Sequence, residues 1–198
     1  KLQEIFYEET SVCADYKSEK AKFNTFLALT YVFYALAVAW VIAVFAVVDF
    51  STFTNNIFLK ILFLCLPMLC FIALAIFFTF YKCKFCVDYD YTFVSGSIRI
   101  SKVINNYKRK HVYTFDYTNV KQVGKFGSES FSELLNLADL KTDMLSANKM
   151  PTDGKDFFYL FVDSLNEQKH LIVIECTEEF IKNILKYCGK AILEKDYR

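Results

Sequence analysis

The sequence is poor in several residue types on which common functional classes depend. Its 198 residues include only 5 Gly and 2 Pro, which excludes collagen-like and low-complexity chains. Two histidines leave little material for imidazole-based catalysis or metal binding. An excess of charge of one sign is also lacking, because 23 Lys and Arg face 22 Asp and Glu. This balance excludes a protein that binds polyanions through its overall charge, and we expect no nucleic-acid partner.

Catalytic motifs are lacking as well. The chain contains no GxSxG, no glycine-rich phosphate loop and no HExxH. His111 and His170 lie on separate predicted strands, which favours hydrogen-bonding roles over a catalytic dyad. We therefore expect a protein that is not an enzyme, with no catalytic residue and no cofactor.

Apolar residues are abundant, and many of them are concentrated in two uncharged runs. Hydrophobic residues make up 55% of the chain. One run extends from Phe26 to Val48 and the other from Ile61 to Tyr81, and both reach the length that an α-helix needs to cross a bilayer. Neither run has the polar stripe of a helix in a soluble bundle. The sequence therefore predicts transmembrane helices over about 26–48 and 61–81.

Lysines flank the two predicted spans unequally. Two groups lie outside the pair, and the connecting loop holds one lysine; in chain order they are Lys17, Lys20 and Lys22, then Lys60, then Lys82 and Lys84. Cytoplasmic flanks carry an excess of Lys and Arg. We therefore predict a multi-pass protein of the cell membrane with both termini in the cytoplasm.

The flanking segments complete the predicted domain organisation. Residues 1–24 are too long and too acidic for a secretory signal peptide, and they are interpreted as a cytoplasmic amphipathic segment. Leu2, Ile5, Phe6 and Val12 are expected on one face of a short helix there. Residues 25–81 form the predicted transmembrane hairpin, and residues 87–198 a cytoplasmic domain.

The pattern after residue 86 alternates in the manner of strands. Period-2 segments separated by turns predict about six antiparallel strands: VDYDYTFV, SIRISKVI, KHVYTFDY, VKQVGKF, FFYLFVD and KHLIVIE. Ser95-Gly96 and Asn105-Asn106 read as tight turns, and SLNEQ as a five-residue hairpin loop. A short helix is predicted in SESFSELLNLADL and an irregular excursion in TDMLSANKMPTDGKD. Thr177 is the predicted N-cap of a closing amphipathic helix.

These elements together resemble a known family. The strand pair DYTFVSGSIRISKVI, the basic hairpin YKRKHVYTFDYTNVKQVG and the final TEEFIKNILKY helix are similar, in their order, to bacterial pleckstrin-homology-like (PH-like) domains behind two-span membrane anchors. The resemblance covers roughly residues 87–195. It implies an α+β membrane protein, in which a bent antiparallel sheet or small barrel with a C-terminal capping helix follows an N-terminal transmembrane hairpin.

Basic residues are concentrated in a stretch with no acid between Asp90 and Asp116. They are Arg99, Lys102, Lys108, Arg109 and Lys110. Such a patch could contact anionic lipid headgroups or a partner, or form a solvated hairpin tip. In pleckstrin-homology domains the basic residues flank a long first loop, whereas here that loop reads as the two-residue Ser95-Gly96. Specific phosphoinositide recognition is therefore not expected.

The remaining candidates carry weaker signals. Cys83 and Cys86 form a CxxC without the further ligands that zinc requires, and the seven cysteines are expected to be free thiols. Asp88 and Asp90 resemble a DxD metal pair, but no nucleotide-binding unit surrounds them. No metal site is therefore predicted.

One helix face in the first predicted span carries small residues at a spacing of four. They are Ala35, Ala39 and Ala43, and such a face lets another helix approach closely. Either the second span or another molecule could fill this role.

Together these observations favour a non-enzymatic adaptor or scaffold. It would be anchored by the two helices, and its PH-like domain would bind a protein partner or the membrane surface. A homo-oligomer or a partner complex through the hairpin is also expected. The alternative is an accessory subunit of a larger transporter or membrane enzyme.

Overall fold

The computed structural model describes residues 6–47, 57–137, 139–165 and 168–194. The chain divides into two compact units. Residues 15–86 form a helical unit, and the described residues on both sides of this segment form an α+β unit.

The helical unit consists of two long helices. Helix α1 is Tyr16–Val47 and α2 is Ile57–Tyr81, and a short 3-10 turn follows at Lys82–Lys84. The buried side chains of α1 recur every seven residues, at Phe23, Thr30, Ala37 and Val44. Aromatic rings join the two helices: the centroid of Phe78 lies 5.8 Å from that of Phe26 and 5.5 Å from that of Phe33.

Both helices are long and apolar enough to cross a membrane. In the most apolar stretch of each, only 17% of the first and 6% of the second is buried within the protein. The core helix of a soluble protein would be mostly buried, so the exposed apolar surface fits a lipid surrounding better. Helix α1 begins ten residues before the predicted span at Phe26, and Val48 lies outside the described residues.

The first sheet of the α+β unit has four antiparallel strands in chain order. They are β1 (Phe6–Ser11), β2 (Val87–Val94), β3 (Ser97–Ile104) and β4 (Lys108–Asp116). The two predicted tight turns are present. Ser95 and Gly96 join β2 to β3, and Asn105 and Asn106 join β3 to β4, all with positive φ.

The second sheet has the order β5-β7-β8-β6. Its strands are β5 (Val120–Lys125), β6 (Leu140–Leu145), β7 (Asp156–Leu165) and β8 (Gln168–Cys176). Helix α3 (Glu129–Leu135) lies between β5 and β6; it is shorter than the predicted SESFSELLNLADL, whose last residue, Leu140, already begins β6. The predicted loop SLNEQ was too long, because Leu165 already pairs with Gln168.

Strand β6 corrects the predicted irregular excursion. It pairs in parallel with β8. The sequence hides it because Lys141, Thr142 and Asp143 follow one another, so the alternation that marks a half-buried strand is absent. Among the described residues after residue 86, seven strands are therefore present where about six antiparallel ones were expected.

Helix α4 (Glu178–Cys188) is the predicted closing helix, and Thr177 is its N-cap. Its buried side chains join a core that draws on both sheets. The ring of Phe180 lies 5.8 Å from that of Tyr7 and 6.1 Å from that of Tyr91, which links the helix to β1 and β2. A separate 3-10 turn, Lys190–Ile192, follows this helix.

The segment before the first long helix differs from its prediction. Residues expected to form an amphipathic helix instead form strand β1, which pairs with β2 from Phe6↔Val94 to Ser11↔Tyr89. Leu2 and Ile5, expected on its apolar face, lie outside the described residues. The strand escaped detection because Glu9 and Ser11, which are polar, occupy its buried positions.

Because β1 belongs to the first sheet, the helical hairpin interrupts the α+β unit in the sequence. The hairpin does not precede the folded domain but is inserted between its first two strands. The first connection of the sheet is therefore the long segment between Ser11 and Val87, and not the Ser95-Gly96 turn that the sequence indicated.

Candidate functional site

The basic stretch folds into the hairpin formed by β3 and β4, called here the basic hairpin. Its register pairs Ile104 with Lys108 and Lys102 with Lys110. The turn is closed by a hydrogen bond of 3.2 Å that the Tyr107 amide donates to the Ile104 carbonyl. Residues 104–110 are called the hairpin tip.

The side chains of the hairpin tip are mostly exposed. Lys108, Arg109 and Lys110 are exposed, and Lys102 is half-buried opposite Lys110. Tyr107 is 92% exposed and lies beside these cations. Sequence reasoning overlooked this tyrosine, although an aromatic residue between two asparagines and three cations was a signal for it.

Arg99 does not belong to this cluster. It pairs with Thr92 on β2 and with Thr114 on β4. Because it lies five residues before Ile104 along β3, it is separated from the tip by about 17 Å. The structure therefore brings four of the five predicted basic residues together and leaves Arg99 apart.

Arg109 has a partner within the sheet. Its Nη2 lies 3.3 Å from Oδ2 of Asp90, whose side chain is only 7% exposed. The other carboxylate oxygen of Asp90 accepts a 2.9 Å hydrogen bond from the Thr10 hydroxyl. Asp90 thus ties β4 and β1 to β2.

Asp88 and Asp90, the residues of the DxD pattern, are both buried on β2. Asp88 accepts a 2.8 Å hydrogen bond from the Cys13 amide. Within the described part of the chain, no three residues of the types that bind metals cluster together. Both carboxylates serve strand packing here, and nothing in their geometry favours a DxD metal pair.

Strand β1 is held at its middle by Glu9. Its carboxylate accepts hydrogen bonds of 2.9 and 3.0 Å from the amide and hydroxyl of Thr177. The ammonium of Lys155 lies 3.4 Å from the same carboxylate and donates to the carbonyl of Thr10. A side chain of β1 therefore caps the N-terminus of α4, where negative charge is favoured by the helix dipole.

Glu175, which is fully buried, anchors the end of β1. Its carboxylate accepts hydrogen bonds from the hydroxyls of Ser11, Ser146 and Thr152 and from the side-chain amide of Asn148. Burial alone raises the pKa of Glu175, but these hydrogen bonds outweigh it and lower the pKa to about 2. The group is therefore a stable anion that organises the loop after β6.

The side chain of Asn148 continues this network into the segment that leads to α1. Its Nδ2 donates to the carbonyl of Val12 at 2.9 Å, and its Oδ1 accepts from the amide of Ala14 at 2.8 Å. We call the contacts of Glu9, Ser11, Asn148 and Glu175 the β1 latch. The sequence pattern could not identify the latch, because each residue reads alone as an ordinary polar position.

The family model described as "Bacterial PH-like domain (DUF6106)" matches residues 13–194. The chain belongs to this family. The match includes both long helices and ends close to the last described residue, so the inserted hairpin is part of this bacterial PH-like protein as the family defines it. The resemblance inferred from element order is confirmed.

A curated protein is similar to part of the chain. It is a mannitol-1-phosphate 5-dehydrogenase from Thermoanaerobacter pseudethanolicus, 32% identical over 116 residues. The aligned part covers 54% of the PH-like protein and 29% of the dehydrogenase, so the chain spans less than a third of that enzyme's length. No solved structure matches the PH-like protein.

The alanine stripe of α1 lies away from its buried side chains. Ala35, Ala39 and Ala43 are exposed, whereas Ala37 and Val44 are buried. At 100° per residue the two sets lie on roughly opposite faces of the helix. Of the two predicted roles, the structure does not support packing on the second span.

The cysteines of the PH-like protein lie both in the helical unit and in the α+β unit. Cys65 and Cys70 in α2 are free thiols, as predicted. Cys83 lies in the turn after α2 with its Sγ 3.6 Å from the Thr79 carbonyl, and Cys86 is buried. In the second sheet, burial raises the pKa of the Cys176 thiol well above its usual value.

A polar cluster joins the two sheets of the PH-like domain. Asp143 on β6 accepts a 2.8 Å hydrogen bond from the Tyr113 hydroxyl and lies 3.1 Å from Nδ1 of His170. Lys141 lies 3.3 Å from the same hydroxyl. Burial, and then the hydrogen bond to Asp143, raise the pKa of Tyr113. The cluster holds β4 against β6 and β8.

Proposed function

We propose that this protein is a non-enzymatic membrane adaptor of the bacterial cell membrane. In this proposal α1 and α2 cross the bilayer as a hairpin, and the PH-like domain and both termini lie in the cytoplasm. The domain binds a protein partner or the membrane surface. The observation that carries the proposal is the insertion of the apolar hairpin between two paired strands of a PH-like domain.

The pairing of β1 with β2 supports the topology. Ser11 pairs with Tyr89, so the chain leaves the domain and returns to it on neighbouring strands. Two spans in succession return the chain to the side on which it started, which is the only arrangement in which both strands can join one sheet. The lysines before α1 and after α2 favour the cytoplasmic side.

The engagement of the polar side chains supports a role without catalysis. Asp88, Asp90, Glu175 and His170 all contribute to strand packing in the geometry described above. Should Asp88 or Asp90 carry a reaction instead, alanine replacement would abolish a defined turnover without unfolding the domain. We expect such variants to lose stability and no activity.

The proposed contact residues are the basic residues of the hairpin and the alanine stripe. For lipid or partner contacts we propose Lys102, Lys108, Arg109 and Lys110. Arg99, the fifth predicted basic residue, lies apart from these four. For contact with another helix we propose the stripe on α1, because it faces away from the buried face of its own hairpin.

The exposed stripe also favours a second candidate function, an accessory subunit of a larger transporter or membrane enzyme. Purification of the full chain from native membranes in mild detergent separates the two candidates. An adaptor is expected as a monomer or homo-oligomer after extraction. A stoichiometric complex that survives purification, and that Ala39→Leu disrupts, would instead establish the accessory subunit.

Charge reversal tests the basic hairpin within this proposal. Lys108→Glu together with Lys110→Glu is expected to weaken co-purification of a partner or attachment of the domain to vesicles. The matched control is Arg99→Glu, which lies on the same hairpin away from its tip. If the double variant leaves every partner and all lipid contact unchanged, the assignment of the basic residues is wrong.

A further inference from the structure

We infer that the hairpin tip docks on anionic lipid headgroups, with the ring of Tyr107 seated at the boundary between headgroups and acyl chains. The inference rests on the proposed function, because it takes α1 and α2 as membrane spans. It goes further by choosing lipid over protein as the ligand and by selecting the residues that bind it.

The strand register places the tip at a particular end of the first sheet. Val87, the first residue of β2, pairs with Ile104, which pairs in turn with Lys108. Because neighbouring strands are 4.7–4.9 Å apart, Lys108 lies about 10 Å from Val87 across the sheet. The last residue of β1, Ser11, pairs with Tyr89 at this same end. The tip therefore shares the sheet end at which the chain departs for α1 and returns from α2.

The chemistry of the tip suits a lipid surface. Tyr107 is 92% exposed at a narrow turn, and it offers an apolar ring with a polar hydroxyl. Tyrosine is enriched at membrane interfaces because its two ends match the two surroundings. Lys108 and Lys110 are exposed and make no ion pair within the described residues, so both are available to phosphate groups.

The other basic residues contribute less. Arg109 is already paired with the buried Asp90, so it serves the sheet. Lys102 is half-buried opposite Lys110, and Arg99 lies about 17 Å from the tip along β3. The docking surface is therefore Tyr107 with Lys108 and Lys110, and Arg99, a single cation on the same hairpin away from the tip, serves as the control.

Tryptophan fluorescence tests the inference in the full chain. The sequence holds a single tryptophan, Trp40, in α1. The wild-type protein, reconstituted in vesicles that contain brominated lipid, reports whether this helix is embedded. A variant with Trp40→Phe and Tyr107→Trp then reports on the tip alone. Vesicles of phosphatidylcholine are compared with vesicles to which phosphatidylglycerol has been added.

We expect the tip tryptophan to be quenched by brominated lipid in the anionic vesicles and to become water-exposed again at high salt. Lys108→Gln with Lys110→Gln should lower the ratio of docked to free tip by about 30-fold, the fold-change that corresponds to about 1 kcal/mol per lysine. Arg99→Gln should leave the quenching unchanged.

Three other results can be distinguished. If Trp40 is quenched while the tip tryptophan remains in water in both vesicles, the docking inference is wrong and the proposed membrane anchor stands. If Trp40 itself is not quenched, the anchor fails and the inference fails with it. Release of a co-purified protein by the double lysine variant, without any quenching of the tip, would assign this surface to a protein and overturn lipid docking.

Discussion

Glu175 shows how one buried charge can be maintained by neutral donors. Its carboxylate takes hydrogen bonds from three hydroxyls and an amide side chain, and also from the Thr152 backbone amide. A hydrogen bond to a charged group contributes about 1.5–3 kcal/mol, and an unsatisfied buried donor costs a similar amount. The charge of this residue should therefore matter more for stability than that of surface carboxylates.

We predict that Glu175→Gln lowers the free energy of unfolding by about 2–4 kcal/mol, because the neutral amide accepts fewer and weaker hydrogen bonds. Thermal unfolding in detergent, followed by circular dichroism, measures the loss. The matched control is Glu178→Gln in the first turn of α4, where the side chain is 58% exposed; its effect should stay below about 1 kcal/mol. Equal effects of the two variants would contradict the role given to Glu175.

The same residue predicts a pH dependence. The pKa of Glu175 falls from an ordinary 4.5 to about 2 on folding, so the unfolded chain binds its proton first as the pH decreases. The stabilisation is complete above about pH 5 and is lost as the pH falls from there towards 2. The difference in stability between the wild type and Glu175→Gln should therefore shrink over this interval. A difference that stays constant between neutral and acidic pH would refute the lowered pKa.

Gly124 illustrates a position at which space, and not turn geometry, requires glycine. A Cβ added there would clash with the carboxyl group of Glu194. This carboxylate accepts hydrogen bonds from the Lys125 amide, the Ser128 hydroxyl and the Tyr159 hydroxyl. The C-terminal segment is thereby fixed to β5.

Gly124→Ala is expected to destabilise the domain by about 1–3 kcal/mol, since either the carboxylate or the strand must move. Introducing the same change into a Glu194→Ala background should cost clearly less, because the clashing group has been removed. A double-mutant cycle of thermal unfolding measures this coupling. Additive losses would show that the close approach does not matter.

Among elements, β1 depends most on contacts made by distant parts of the chain. Its six residues include two glutamates, a threonine and a serine, and its buried positions are filled by Glu9 and Ser11. Polar residues at these positions are stable only because Thr177, Lys155 and Glu175 pair with them. The strand could not be predicted locally for this reason. Strands β2 and β3 follow the expected alternation only near the turn that joins them, where Phe93, Ile98 and Ile100 are buried, whereas Asp88, Asp90 and Val103 are buried against it.

Asn148→Ala should loosen the β1 latch. The variant removes the bonds to Val12, Ala14 and Glu175, so we expect the amides of β1 to exchange hydrogen at least about tenfold faster, as follows from about 1.4 kcal/mol of lost local stability. Hydrogen exchange with mass spectrometry resolves this segment. Asn136→Ala provides the control, because that side chain bonds only locally to the Ser132 carbonyl on the surface of α3. Unchanged exchange in β1 would show that the latch does not hold the strand.

The two long helices were the most predictable elements, because an uncharged apolar run of spanning length has few alternative structures. Their mutual orientation was not predictable from the alanine spacing. The heptad-spaced buried positions, with Ala37 and Val44 among them, decide which face meets α2, and the exposed alanines do not.

The assignment of a buried and an exposed face to α1 predicts different losses of stability for two similar substitutions. Ala37→Leu places extra volume in the buried face of α1 and should destabilise the helical hairpin by about 1–3 kcal/mol. Ala39→Leu adds the same volume on the exposed face and should leave the stability of the isolated protein within about 0.5 kcal/mol. The helical circular-dichroism signal during thermal unfolding in detergent compares them. A larger loss for Ala39→Leu would reverse the assignment of the two faces.

At the scale of the whole molecule, the sequence predicted the membrane hairpin, the PH-like class and the closing helix, but not how they are connected. The decisive pairing joins residues 6–11 to residues 89–94, across an insertion of two helices. Local periodicity cannot predict a pairing between residues so far apart in the sequence, because it indicates only which side chains share a face. The candidate site was likewise predictable only in part. Charge spacing identified the basic residues, and only the strand register separated Arg99 from the tip and drew attention to Tyr107.

The insertion gives the central claim a definite topology. If the hairpin crosses the bilayer and both of its ends return to one sheet, the loop between α1 and α2 must lie on the opposite side of the membrane from the PH-like domain. One protease recognition site placed between Ser51 and Asn56, and another placed between Asn136 and Leu137, test this arrangement in sealed vesicles of both orientations. The account predicts that protease cuts the first site only from the extracytoplasmic side and the second only from the cytoplasmic side. Cleavage of both sites from the same side, or recovery of the protein in the soluble fraction, would contradict it.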